Sequence, residues 1–184
     1  DAPTIINMTN HSYFNLSGDP ANHAVTEDSL FINASRYTPV DSTFMTTGEI
    51  APVEGTPFDF RKAKLIGEDI DSDNEQVRNG HGFDHNWVLD TRGDDTVLAA
   101  EVYGPATGIV LKEYTDEPGV QIYAGNFLDG TVTGKNGVVY GHRTAICLES
   151  QKYPDTPNKP EWPSAVLRPG ETYTSHCVFA FSVR

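Results

Sequence analysis

The sequence is poor in basic residues. Thirteen Lys and Arg stand against 26 Asp and Glu in 184 residues, a formal charge of −13. A surface of that sign repels phosphate backbones and anionic bilayers, so neither nucleic acid nor a membrane is an expected partner. Cysteine is scarce as well. Cys147 and Cys177 each lie in an apolar run that reads as a strand. Two reduced thiols acting as small hydrophobes are expected, because nothing else suggests a disulfide scaffold. No apolar run approaches the ~20 residues of a membrane helix. There is no internal repeat, low-complexity tract, linker or nucleotide-binding glycine loop. These absences point to a single domain over residues 1–184, long enough to bury a core. A cytoplasmic location is the expectation, with periplasm and secretion left open by a chain that begins at Asp1. Four glycosylation tripeptides, at Asn7, Asn10, Asn15 and Asn33, are read as coincidence. The first three fall where a glycan would block the site described below.

What is present reads as β almost throughout. Residues 86–89, 97–103, 109–114 and 120–127 read as a meander of short β-rich runs separated by Gly, Pro and Asp turn chemistry. Their spacing of about twelve residues is the rhythm of an all-β sandwich. Cys177, Phe179, Phe181 and Val183 alternate with small or polar residues, which predicts a last strand with one buried face. Helix signals are weak. Residues 61–70 read as a short helical turn interrupted by Gly67. Five prolines between Lys152 and Pro169 predict an extended, loop-like path.

Four segments carry chemistry. Asn10-His11-Ser12-Tyr13-Phe14-Asn15-Leu16 sets an imidazole among amide, hydroxyl and aromatic groups, the equipment of a small polar-ligand site. Histidine exchanges protons near neutral pH without a metal. In Cys147-Leu148-Glu149-Ser150-Gln151, strand alternation places Ala145, Cys147 and Glu149 on one face. A carboxylate among small apolar neighbours gains proton affinity when dehydrated, which suits a general base. Gly80-His81-Gly82-Phe83-Asp84-His85-Asn86 invites a metal reading through His81, Asp84 and His85. The spacing fits no metal motif and the glycines suggest a tight loop, so no metal is expected. In Pro118-Gly119-Val120-Gln121-Ile122-Tyr123-Ala124-Gly125-Asn126, Gln121 and Tyr123 share a face, and the amide both donates and accepts. Each residue has a plainer reading too: His11 as a structural hydrogen-bonder, Glu149 as a surface carboxylate, the aromatics as core.

From about Ile6 to the C-terminus these segments, in this order, resemble the aldose 1-epimerases, also called galactose mutarotases. The resemblance implies an all-β, galactose mutarotase-like sandwich. It implies His11 as the general acid that protonates the sugar ring oxygen and Glu149 as the base that takes the anomeric hydroxyl proton. It implies substrate contacts from Asp84, Gln121, Asn10 and Tyr13, with His85 and Asn86 as supports. Ser150 stands where the family more often has Thr. The implied reaction interconverts α and β anomers of a free hexose such as galactose or glucose and uses no cofactor. Family members are nearly twice this long, and the histidine and arginine of their upstream half have no counterpart here. The chain therefore reads as a C-terminal portion, with unpaired sheet edges that would promote self-association. Two rival readings stand beside the enzyme: a non-catalytic carbohydrate-binding module, and a structural fragment needing a missing half.

Overall fold

The computed structural model describes all 184 residues, Asp1–Arg184. In chain order the strands are β1 (Thr4–Ile5), β2 (Ser29–Ile32), β3 (Arg36–Thr38), β4 (Ala51–Pro52), β5 (Lys64–Leu65), β6 (Asp84–Val88), β7 (Ala100–Gly104), β8 (Ile109–Thr115), β9 (Gly119–Tyr123), β10 (Cys147–Gln151), β11 (Val166–Leu167) and β12 (Cys177–Val183). One short helix, α1 (Glu75–Asn79), precedes β6. Two five-stranded sheets, ordered β10-β9-β6-β3-β4 and β12-β8-β7-β2-β5, make up most of the fold, and β1 pairs with β11 apart from them. No helix is long and apolar enough to cross a membrane.

The β rhythm expected for residues 86–127 is present, but its four strands are not one meander. β6 and β9 pair in one sheet, while β7 and β8 pair in the other. The chain crosses between sheets after β6 and returns before β9, so strands adjacent in sequence face each other across the interior. Alternation decides which side chains enter it. Trp87, Val120, Ile122 and Leu148 come from the first sheet, and Leu30, Ile32, Val102 and Leu111 from the second. With Phe58, Phe60 and Phe83 they belong to one core of 24 buried residues. Burying each such side chain contributes roughly 1.5–3 kcal/mol. The Trp87 indole N–H donates to the Phe58 carbonyl at 2.9 Å, so its polar atom is satisfied inside the core.

Residues 61–70 hold one short turn, a 3-10 turn at Ile66–Glu68 that includes Gly67, directly after β5. Lys64 and Leu65 pair with β2, and a Cβ at position 67 would stand 2.8 Å from the Thr26 carbonyl. Pairing and close backbone approach limit the helical pattern to that one turn. The helix is α1, which the sequence did not reveal. The Asn74 side chain caps it by accepting from the Gln76 N–H at 2.9 Å. It ends at Gly80-His81-Gly82, with His81 at φ 53° and Gly82 at φ 127°.

The proline-rich stretch is loop-like as expected, but it turns at 154–155 and 160–161 as well as through a 3-10 turn at Thr156–Asn158, and it contains β11. Tyr153 and Trp162 meet edge-on at 5.6 Å and pack on Val88, pinning this loop against β6. β12 departs from its pattern. Cys177 and Phe179 are half-buried, but Phe181 is 57% and Val183 71% exposed. Alternation identifies the apolar face of a strand; it does not supply a layer to cover it. β12 is the terminal strand of its sheet, and Phe14, with ring centroids 5.1 Å from Phe179 and 6.0 Å from Phe181, packs against its apolar face.

Candidate active site

The register of the first sheet assembles the site. Cys147, Tyr123 and Asp84 stand opposite one another across β10, β9 and β6. Glu149, Gln121, Asn86 and Thr38 form the next row of the same face. This face points away from the core, because Leu148, Ile122 and Trp87 occupy the alternate positions. Gly119 opens the following row. A Cβ there would lie 2.5 Å from Asn86 Oδ1 and 3.0 Å from Tyr153 Cδ1, so a side chain cannot fit.

The N-terminal segment completes the site from outside the sheet. Phe14 and Ile146 exchange two backbone hydrogen bonds of 2.8 Å, which lays residues 11–14 along the approach to β10. His11 and Tyr13 are thereby held over Glu149. The resulting cleft, about 380 Å³, is lined by His11, Tyr13, Asp84, Gln121, Tyr123, Phe127, Glu149, Gln151 and Pro154. That volume suits a small polar molecule. A hollow of about 430 Å³ beyond Lys152 and Tyr153 is larger; in it Lys152 pairs with buried Glu117 at 3.1 Å.

His11 Nε2 lies 3.3 Å from Glu149 Oε1. The His11 ring stacks on Tyr13 at 5.0 Å and meets Tyr123 edge-on at 6.2 Å. The Gln121 amide donates to Asp84 Oδ1 at 2.8 Å, and the Gln151 amide reaches Gln121 Oε1 at 3.5 Å. Burial raises the proton affinity of the Glu149 carboxyl; the nearby His11 charge opposes that shift and Asp84 reinforces it. Asp84 is also raised by burial, against the Gln121 hydrogen bond and His11. Two carboxylates that share a partly dehydrated cleft with one imidazole form an acid/base set of tunable protonation.

Most residues singled out in the sequence meet here: His11, Glu149, Asp84, Gln121 and Tyr13 all line the cleft. Asn10 does not. Its exposed side chain accepts from the Ser12 N–H at 2.9 Å and shapes the turn that carries His11. The trio His81, Asp84 and His85 does not converge. His81 stacks on Phe44 and meets Phe127 at a tilt. His85 is fully buried beside Phe58, where burial pushes its imidazole down to about 3 and keeps it neutral. Asn86 is buried behind Gln121 with neither side-chain polar atom partnered. Gln151 and Pro154 were missed. Gln151 was legible as the next same-face position after Cys147 and Glu149; nothing local marks Pro154. The structure also brings His11, Cys147 and Glu149 together, with one potential ligand atom from each mutually within 4.8 Å.

Comparison with known proteins identifies the family. The family model described as aldose 1-epimerase matches residues 1–180. A galactose mutarotase from Mus musculus is 47% identical over 180 residues, covering 98% of this chain and 51% of that protein. Among solved structures, an aldose epimerase homologue from C. elegans superposes with a TM-score of 0.83 at 30% identity, covering all of this chain and 53% of the other. A galactose 1-epimerase from Lactobacillus acidophilus gives 0.81 at 30% identity, covering 100% and 50%. The chain spans about half the length of the relatives it matches.

Proposed function

The chain belongs to the aldose 1-epimerase family, and from that membership we propose that it carries the acid/base pair of an enzyme interconverting the α and β anomers of a free hexose such as galactose or glucose. Glu149 accepts the proton of the C1 hydroxyl while His11 gives a proton to the ring oxygen. The bond from C1 to the ring oxygen breaks, leaving an open-chain aldehyde. Rotation about C1–C2 presents the other face of the carbonyl; as the ring closes, Glu149 returns its proton to the carbonyl oxygen and His11 takes one back from the hydroxyl that becomes the ring oxygen. Charge and protons balance within the pair, and the scheme calls on no cofactor. Asp84 and Gln121, already joined at 2.8 Å, offer acceptor and donor groups to the sugar hydroxyls.

The observation that carries this reading is the 3.3 Å approach of His11 Nε2 to Glu149 Oε1 inside a partly buried cleft. A carboxylate in open water is a weak base; burial makes this one stronger. The test is polarimetry on freshly dissolved α-glucose or α-galactose. Glu149→Gln keeps the shape and removes the basicity, so the rate should fall by about 10²–10⁴ while sugar binding remains measurable. The acid limb of the wild-type profile should lie above the ordinary carboxylate range, since activity rises as Glu149 loses its proton and burial delays that loss. Wild-type turnover in the glutamine variant removes Glu149 from the mechanism. Sugar binding without mutarotation in the wild type would favour the non-catalytic binding module instead.

A further inference from the structure

We propose that His11, Cys147 and Glu149 form a site for a soft divalent cation such as Zn²⁺ or Cd²⁺, and that the ion and the sugar exclude one another from the cleft. The second half of this rests on the sugar reading above; the first does not. The donors are an imidazole nitrogen, a thiol sulfur and a carboxylate oxygen. Three such protein ligands with one position open to a cleft are a recurrent zinc arrangement. Metal bonds of about 2.0–2.3 Å at tetrahedral angles require ligand atoms about 3.3–3.6 Å apart. His11 Nε2 and Glu149 Oε1 meet that requirement at 3.3 Å, and the whole set lies within 4.8 Å. The remaining closure is small. The His11 side chain is half exposed and free to turn, whereas Cys147 and Glu149 are fixed two residues apart on β10.

Cys147 has no part in the proton transfers of the epimerisation, yet it sits fully buried under the pair that does. Binding would release the thiol proton to solvent, leaving a thiolate and a carboxylate to neutralise the ion and the imidazole to complete the set. Asp84 adds a further negative field, since its charge acts on both Cys147 and Glu149. The sulfur ligand selects against hard ions, so Mg²⁺ and Ca²⁺ should not compete. An ion held here occupies the proton donor and the proton acceptor together, and mutarotation would stop.

The test is a Cd²⁺ titration of the full chain, followed by the ultraviolet thiolate-to-cadmium band. The expected result is saturation at one ion per chain, unaffected by excess Mg²⁺, retained in Cys177→Ser and lost in Cys147→Ser. His11→Gln and Glu149→Gln lie at the cleft surface, keep the thiol, and should weaken binding by at least about tenfold, the scale seen even for supporting residues of metal sites. A band that disappears in Cys177→Ser but survives in Cys147→Ser, or an affinity untouched by both cleft variants, overturns the site. Galactose in excess should move the titration to higher Cd²⁺. Tight Cd²⁺ binding that ignores galactose would leave the metal site standing and overturn the shared cleft.

Discussion

β10 and β12 have much in common in sequence and opposite fates in the fold. Each begins at a cysteine, alternates apolar and other residues, and ends a five-stranded sheet. All five residues of β10 are buried, whereas five of the seven in β12 are exposed. The difference lies in what covers them. The segment around Phe14 pairs with Ile146 beside β10, and residues 11–13 close over its outward face. β12 has the ring of Phe14 against part of one face and solvent beyond. The chemistry follows the cover. Glu149 is a stronger base than an ordinary carboxylate because the cleft removes water from it. Glu101, on β7 of β12's sheet, pairs with the exposed side chains of Arg184 and Lys112, contacts of a kind that contributes little.

The comparison can be broken in three places besides the catalytic test. The largest effect should come from Leu148→Ala, which deletes a fully buried side chain of β10 from the shared core. A loss of about 2–5 kcal/mol by denaturant titration is expected. A loss under about 1 kcal/mol would mean that β10 is no better packed than β12.

A smaller effect should come from Glu113→Gln. Glu113 reaches into the interior from β8, accepts from the Cys177 thiol at 3.6 Å, and leaves its second oxygen unpartnered. Burial pushes its carboxyl up to about 7, partly offset by Cys177 and Ser150, so it touches both strands of the comparison. A raised carboxyl favours the protonated folded state. Its contribution is therefore complete below the unfolded value near 4.5 and is lost as pH rises towards 7. The stability difference between wild type and variant should shift by about 1–3 kcal/mol across that interval and stay constant outside it. Asp28, raised in the same sense to about 7, is present in both proteins and cancels. A pH-independent difference would show that Glu113 ionises as freely as a surface residue. The smallest effect is Phe181→Ala on β12. At 57% exposure its truncation should change stability by no more than about 0.5 kcal/mol. A cost comparable to Leu148→Ala would show that β12's face is covered in solution.

Much of the site was legible through motif resemblance. His11, Glu149, Asp84 and Gln121 stood out because the segments that hold them, in their order, resemble the aldose 1-epimerases. The strand runs were also legible, since alternation is a property of neighbouring residues. Asn10 is continuous with the His11 motif in sequence but is not among the residues that line the cleft, and its side chain accepts from the Ser12 N–H instead. His85 shared a segment with Asp84 yet entered the core, because consecutive strand residues point to opposite faces.

The sequence by itself determined the acidic surface, the β rhythm and the alternate faces of each strand, all of which depend on composition or near neighbours. Only the tertiary structure decided that β6 and β9 share a sheet from which β7 and β8 are absent, that His11 lands 3.3 Å from a residue 138 positions later, and that β10 is covered where β12 is open. Those outcomes depend on register and on which distant segment lies alongside. Dehydration, which sets the basicity of Glu149, is created by that distant segment and has no local signature in the chain.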